Sequence, residues 1–265
     1  MIKLMKILLI GDIVGRTGRR AVRELLPNII EKEKPDFIIA NGENAAGGFG
    51  LTEGVMDELL DYNIDLLTTG NHVWDNKDIF NFIDESDKVI RPYNYPQGVP
   101  GVGYKVIKKG QYTLGVINLM GRVFLGDYDC PFRSVDQLID ELKEKVDGIV
   151  IDFHAEATAE KEAFGWYVDG RVSLVAGTHT HVQTADERVL PGGTAYITDL
   201  GLTGGIDSIL GMNIDEPLNR FLTQLPNRFK VAKGDTKLSG LIVQINSDNG
   251  LATSVKRVCE VYKNN

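Results

Sequence analysis

Cysteine occurs only twice in the 265 residues, at Cys130 and Cys259. Two thiols cannot build a disulfide framework, and neither has a partner at the spacing of a thiolate metal site. A reducing, cytoplasmic setting is therefore expected. No apolar stretch is long enough to cross a bilayer. The apolar start MIKLMKILLIGD is cut by Asp12, with no small-residue cleavage site after it, so it reads as a first buried strand rather than a secretion signal. Basic residues are outnumbered, 29 against 37 acidic ones, for a formal net charge of −8. That balance excludes a broad electrostatic grip on long nucleic acid, which needs clustered Lys and Arg, but leaves room for a local site that takes a small phosphate ester. Low-complexity tracts and solenoid repeats are missing too. The expectation is one globular domain over residues 1–265, with 43% hydrophobic residues to fill its core.

What is present is a series of short apolar runs, each stopping in a loop. KILLIGD (6–12), DFIIANGEN (36–44), DLLTTGNH (65–72), TLGVINLMG (113–121), GIVIDFHAE (148–156) and SLVAGTHTH (173–181) are apolar at nearly every position. Strands covered on both faces, as in a parallel sheet, look like this. Between them lie helical patterns: 16–34, with a kink expected near Pro27; 52–63, with Thr52 as N-cap; and 134–146, where Ser134 and Gln137 suggest a capping box. Residues 194–202, 238–246 and 252–263 read as further strands, the last two joined in a hairpin across SDNG. The pattern predicts an α/β fold: two stacked, mostly parallel or mixed β-sheets flanked by helices, a four-layer sandwich.

The four histidines, His72, His154, His179 and His181, all fall at or just beyond a predicted strand end, together with Asp12, Glu43, Asn44 and Asn71. Ligands of open α/β sheets bind outside the carboxyl ends of the strands, so these groups are expected to converge. One histidine alone would say little; every histidine joining carboxylates and amides at one edge is the signal. On an extended chain His179 and His181, two residues apart, would point the same way. Imidazole with carboxylate and amide oxygen suits iron, manganese or zinc better than calcium.

In order, Asp12, the acid Glu43, 70-GNH-72, a later lone histidine and a closing HTH resemble the motif series of calcineurin-like metallophosphoesterases. The sequence departs from that series at Val14, where a histidine is usual, at 42-GEN-44 in place of Gly-Asp, and at 177-GTHTH-181 with its additional threonine. These departures resemble one branch, the YmdB-like phosphodiesterases, together with GDIVGR, NGENAAGG, TTGNHVWDN, DFHAEATAEK and GTHTHVQTAD. The resemblance spans nearly the whole chain. It implies a site for two metal ions, iron first and manganese or zinc next, that hydrolyses small 2′,3′- or 3′,5′-cyclic nucleotides such as cAMP. By the same resemblance Glu43 bridges the ions, Asp12 and His181 hold one, and Asn71, His154 and His179 hold the other. Asn44 completes one of the two spheres, and His72 is the proton donor. The missing histidine at Val14 leaves the Asp12 ion with fewer strong ligands. Two cations about 3.5–4 Å apart clamp a phosphodiester and acidify a bridging water for in-line attack. A ribose alkoxide leaves poorly without a positioned acid. A phosphomonoesterase or nucleotidase with the same metals is the nearest alternative; a metal- and nucleotide-binding regulatory protein with little turnover is one from another class. A homo-oligomer is expected.

Weaker signals remain. The glycines of 11-GDIVGRTG-18 do not have dinucleotide or P-loop spacing. Arg16 and Arg19 either reach a phosphate or are solvated. Arg122 and the stretch 203–212 line the site, an oligomer interface or merely the surface. Trp74 and Trp166 read as packing residues. Glu156 and Glu160 either orient a ligand histidine or open a helix.

Overall fold

The computed structural model of the chain describes residues 3–264. In chain order its elements are β1 (Leu4–Ile10), α1 (Gly15–Glu33), β2 (Phe37–Asn41), α2 (Glu53–Asp61), β3 (Leu66–Thr68), β4 (Tyr104–Lys109) and β5 (Tyr112–Met120). There follow α3 (Pro131–Leu142), β6 (Gly148–His154), α4 (Thr158–Tyr167), β7 (Leu174–Thr178), β8 (Arg188–Val189) and β9 (Ala195–Ile197). The chain closes with β10 (Gly204–Gly205), α5 (Asp215–Thr223), β11 (Thr236–Asn246) and β12 (Leu251–Tyr262). Two six-stranded sheets result, ordered β10-β11-β1-β2-β3, with β12 beside β11, and β4-β5-β6-β7-β9-β8. β1 to β3 run parallel, as do β5, β6, β7 and β9, and the outer strands pair antiparallel.

Period-two alternation decides which face goes where. Met5, Ile7 and Leu9 of β1 and Phe37 and Ile39 of β2 point toward the second sheet, meeting Leu114 and Val116 of β5 and Val150 of β6. The intervening Leu8 and Ile10 face Ala21, Val22, Leu25 and Leu26 of α1. On the far side Ile149, Ile151 and Phe153 of β6 pack against Val135, Leu138 and Ile139 of α3 and Phe164 of α4. The layers are helix, sheet, sheet, helix, as expected. Each aliphatic side chain fully withdrawn from water contributes roughly 1.5–3 kcal/mol, so these clusters hold a stiff frame under the loops.

Thr52 caps α2 as expected, its Oγ1 accepting the Val55 N–H at 3.3 Å. The hairpin closes with Gly250 N–H donating to Asn246 O at 2.8 Å, Gly250 taking φ 70°. α1 runs without interruption through Pro27. α3 corrects the capping-box expectation: it starts at Pro131 after Cys130, and Ser134 lies inside it. A proline at the first helical position sacrifices no intrahelical bond and presets φ, so the helix begins upstream of the pattern. β4 and α5 had no counterpart in the sequence reading, and α4 had only the helix start weighed at Glu156 and Glu160. Among the described residues no helix is long and apolar enough to cross a membrane.

Candidate metal centre

The loops leaving β1, β2, β3, β6 and β7 meet at one edge of the sandwich. Asn71 Oδ1 lies 2.9 Å from His154 Nε2, Glu43 Oε1 3.2 Å from the same nitrogen, and His179 Nδ1 3.1 Å from it. Glu43, His154 and His179 each offer one donor atom, all within 4.8 Å of one another. Beside them His181 Nε2 stands 3.7 Å from Asp12 Oδ1 and 3.3 Å from Asn44 Nδ2. Asn44 Nδ2 also donates to Glu43 Oε1 at 3.0 Å, so Glu43 touches both halves. All the expected ligand residues thus lie in one cluster.

Each imidazole is aimed by a group behind it. His154 Nδ1 donates to Thr178 Oγ1 at 2.9 Å, because that hydroxyl spends its own proton on Asp152 Oδ1 at 2.6 Å. This leaves Nε2 facing the cluster. His179 Nε2 meets Glu156 Oε2 at 3.0 Å, which turns Nδ1 inward. His181 Nδ1 donates to Leu210 O at 3.0 Å, which turns Nε2 inward. Such outer partners fix tautomer and ring orientation at metal sites. Asp152 also accepts from Asn41 Nδ2 at 3.0 Å and from the Thr68 hydroxyl. It therefore ties the ends of β2, β3, β6 and β7 together beneath the cluster. The carboxyl of Glu160 goes elsewhere, accepting the Arg122 and Val123 N–H groups.

Backbone geometry completes the cradle. His179 and His181 have φ values of 93° and 67°. The expected alternation of an extended His-x-His therefore does not apply: β7 ends at Thr178, and the left-handed turns send the two rings to different halves of the cluster. Such turns cost about 1–2 kcal/mol per residue. Asp199 helps to hold them, its Oδ2 accepting the Thr180 N–H at 3.1 Å and the Thr180 hydroxyl at 2.7 Å. Lys161 Nζ bonds both Asp199 Oδ2 and Thr178 O at 2.7 Å, and both side chains of this ion pair are essentially fully buried. Gly70 forms the floor. A β-carbon there would collide with Glu43 Oε2 and His154 Nε2, so only glycine leaves room for the donors.

The electrostatics are those of a site short of positive charge. Burial raises Asp12 to about 6, and its Oδ1 is buried with no hydrogen-bond partner. Burial would raise Glu43 as well, but the charge and hydrogen bond of His154 outweigh it and hold Glu43 at about 2. Burial would lower His154, and Glu43 overrides it, to about 9. Burial and then His154 push His179 down to about 3, so it is a neutral donor. A proton on His154 thus occupies part of the space between four convergent donors, and a buried carboxylate oxygen stands unpartnered beside it. This donor set fits cations.

His72 sits at the rim rather than among the donors. Its N–H reaches Glu43 Oε2 at 3.2 Å, its Nδ1 meets Asp75 Oδ2 at 2.8 Å, and Phe49 packs edge-on at 5.1 Å. The cluster opens into a cleft of about 1220 Å³ whose other side is α5 and the segment up to Phe229. Ile209, Leu210 and Met212 line it, so part of the 203–212 stretch belongs to the site. Arg19 is committed instead to Glu58 at 2.7 Å and Ala45 O at 2.6 Å. Trp74 packs between Phe80 and Tyr95, whereas Trp166 is 51% exposed, with Arg188 over its ring and Leu190 and Tyr196 beside it. Sequence reasoning missed Asp152, Thr178, Asn41, Thr68, Lys161 and Asp199. A lone acid inside an apolar strand was a usable signal for Asp152.

Known proteins resemble this chain along nearly its whole length. Residues 8–258 match the YmdB-like protein family. The 2′,3′-cyclic-nucleotide 2′-phosphodiesterase of Bacillus subtilis is 52% identical over 254 residues, 96% of each chain. A phosphatase from Mycoplasma pneumoniae superposes with a TM-score of 0.93 at 30% identity, covering 99% of this chain and 95% of that one. A protein from Thermus thermophilus superposes with a TM-score of 0.91 at 41% identity, covering 97% and 99%. With the motifs of all five loops gathered at one sheet edge and the match running along nearly the whole chain, the protein belongs to the YmdB-like family.

Proposed function

We propose that this chain is a binuclear metal-dependent phosphodiesterase acting on small cyclic nucleotides, with the 2′,3′ linkage ahead of the 3′,5′. The observation that carries the reading is the unpartnered, buried Asp12 Oδ1 beside a cluster in which Glu43 touches both halves. The Bacillus relative's substrate is the reason for ranking the linkages. Asn71, His154 and His179 would hold one ion, Asp12 and His181 the other, and Glu43 both. Asn44 would complete the Asp12 sphere once its amide turns its oxygen inward, away from its present bonds to Glu43 and His181. Iron is the first candidate for both positions, then manganese or zinc. When bound, the ions supply the charge that grips a phosphodiester and polarises a water.

The chain's own groups do the rest. Asp152, Glu156 and the Leu210 carbonyl keep the three rings aimed. Asp75 holds Nδ1 of His72, which turns Nε2 toward the cleft. Water adds to phosphorus, the bond to one ribose oxygen breaks, and His72 gives that oxygen its proton. The proton released by the attacking water passes to solvent, from which His72 is reprotonated. Elemental analysis beside a substrate panel tests the assignment: metal at two per chain and hydrolysis of cyclic nucleotides are expected. Turnover of monoesters but not of bis-p-nitrophenyl phosphate would favour a phosphomonoesterase. No turnover with either iron or manganese would favour a regulatory protein. Glu43→Ala should lose metal at both positions; full occupancy and activity in that variant would sink the bridging role.

A further inference from the structure

The cleft is larger than a cyclic mononucleotide needs. Its volume of about 1220 Å³ exceeds the roughly 300–1,000 Å³ that encloses most small ligands. The wall facing the metal cluster has an unusual makeup. α5 buries only Pro217, while its Leu218, Phe221 and Leu222 remain exposed, so core packing does not explain its position. The charged side chains this wall turns to the cleft are Arg220 and Arg228; the acids lining the cleft, Glu43 and Glu156, both lie at the cluster. Among the described residues neither guanidinium has an ion-pair partner. The nearby Glu216 pairs with Lys230 at 3.3 Å, and Arg220 lies over the Phe229 ring at 5.6 Å. In a chain of net charge −8, two unpaired arginines face a cleft built for an anion.

We propose that Arg220 and Arg228 form a second phosphate subsite, and that the cleft takes a short oligonucleotide ending in a 2′,3′-cyclic phosphate. The inference rests on the phosphodiesterase reading above. The terminal ring would lie at the metal cluster, the preceding phosphodiester on the two guanidiniums, and the preceding base on exposed Phe221, which lines the same wall. Guanidinium matches phosphate in a two-pronged geometry, and aromatic faces stack any base. Two arginines suit a fragment, not a long strand, in keeping with the acidic balance of the chain.

The test compares a cyclic mononucleotide with a dinucleotide carrying the same cyclic end, on the metal-loaded enzyme and on Arg220→Ala/Arg228→Ala. The wild type should prefer the dinucleotide about tenfold or more in kcat/KM, mainly through KM. The double variant should lose that preference while keeping mononucleotide turnover within about threefold. A second readout is direct binding of a non-hydrolysable dinucleotide ending in a 3′-phosphate. Its affinity should fall about tenfold in the variant, and its salt dependence should flatten by roughly 0.7 per lost phosphate contact. A wild type that turns over both substrates equally, or a variant weakened equally on both, overturns the subsite. Arginine-dependent dinucleotide binding without turnover of either substrate would support the subsite and sink the phosphodiesterase reading instead; binding indifferent to the arginines overturns the subsite whatever the turnover.

Discussion

His72 and Asn71 are adjacent in sequence but stand on opposite sides of a functional divide. The Asn71 oxygen points into the donor cluster, whereas the His72 ring lies at the cleft rim, anchored to Asp75. Substitution should separate the two. His72→Ala should retain its metal by elemental analysis while kcat falls by about 10²–10⁴, the usual contribution of a positioned acid. Loss of metal in that variant would make His72 a ligand and void its role as donor. At this scale the sequence was informative for residues whose signal is chemical: all four histidines, Asp12 and Glu43 lie at or just beyond strand ends, as their placement in the sequence predicts. It was silent on Thr178 and Asn41, which are ordinary residues until the fold brings Asp152 between them.

At the scale of elements, the turn carrying His179 and His181 depends on a single buried ion pair. Lys161 belongs to α4 and Asp199 to the loop after β9, and between them they hold the Thr178 carbonyl and Thr180. Lys161→Met leaves the Asp199 charge buried without its partner, a change that typically costs about 3–5 kcal/mol. Urea unfolding of the metal-free protein should show that loss as a lower midpoint; a change below about 1 kcal/mol, within surface-pair range, would show that the pair holds nothing. The same elements show why some of the fold was hidden. Parallel strands announced themselves as apolar runs because both faces are covered. α4 was obscured because its buried positions include a lysine, whose partner lies 38 residues away. α5 was obscured because it has almost no buried face to leave a periodic trace. The start of α3 was misplaced because a proline and a capping pattern competed, and the proline prevailed.

Over the whole molecule, protons and cations compete for one space. With His154 held at about 9 and Asp12 at about 6, metal binding must release the His154 proton below pH 9 and the Asp12 proton as well below pH 6. Apparent affinity should rise about tenfold per pH unit between roughly 6 and 9, more steeply below 6, and level off above 9. Isothermal titration across that range measures the slope. Above pH 6.5, where the raised Asp12 has already lost its contribution, the pH dependence of the metal-free fold follows from the His154–Glu43 pair. His154 is raised from 6.5, so its contribution is complete below pH 6.5 and is lost as pH rises through 9; Glu43 is lowered from 4.5, so its contribution is complete above pH 4.5 and is lost as pH falls toward 2. The Tm of the metal-free protein should therefore decline from about pH 6.5 to about 9.5, and that of the loaded protein should not.

α5 has a final consequence for how this enzyme can change over generations. The donors are locked to the sandwich by Asp152, by the Lys161 pair and by a floor at Gly70 that admits no side chain. On the facing wall α5 buries only Pro217, and Phe229 beyond it rests on Val14, Leu202 and Met212. Mutations on that wall can alter what is bound at little risk to folding, while the reacting half stays fixed. If that wall reads the substrate as proposed, substrate range and chemistry are separately heritable, and divergence among descendants of this chain should concentrate between Ile214 and Arg228.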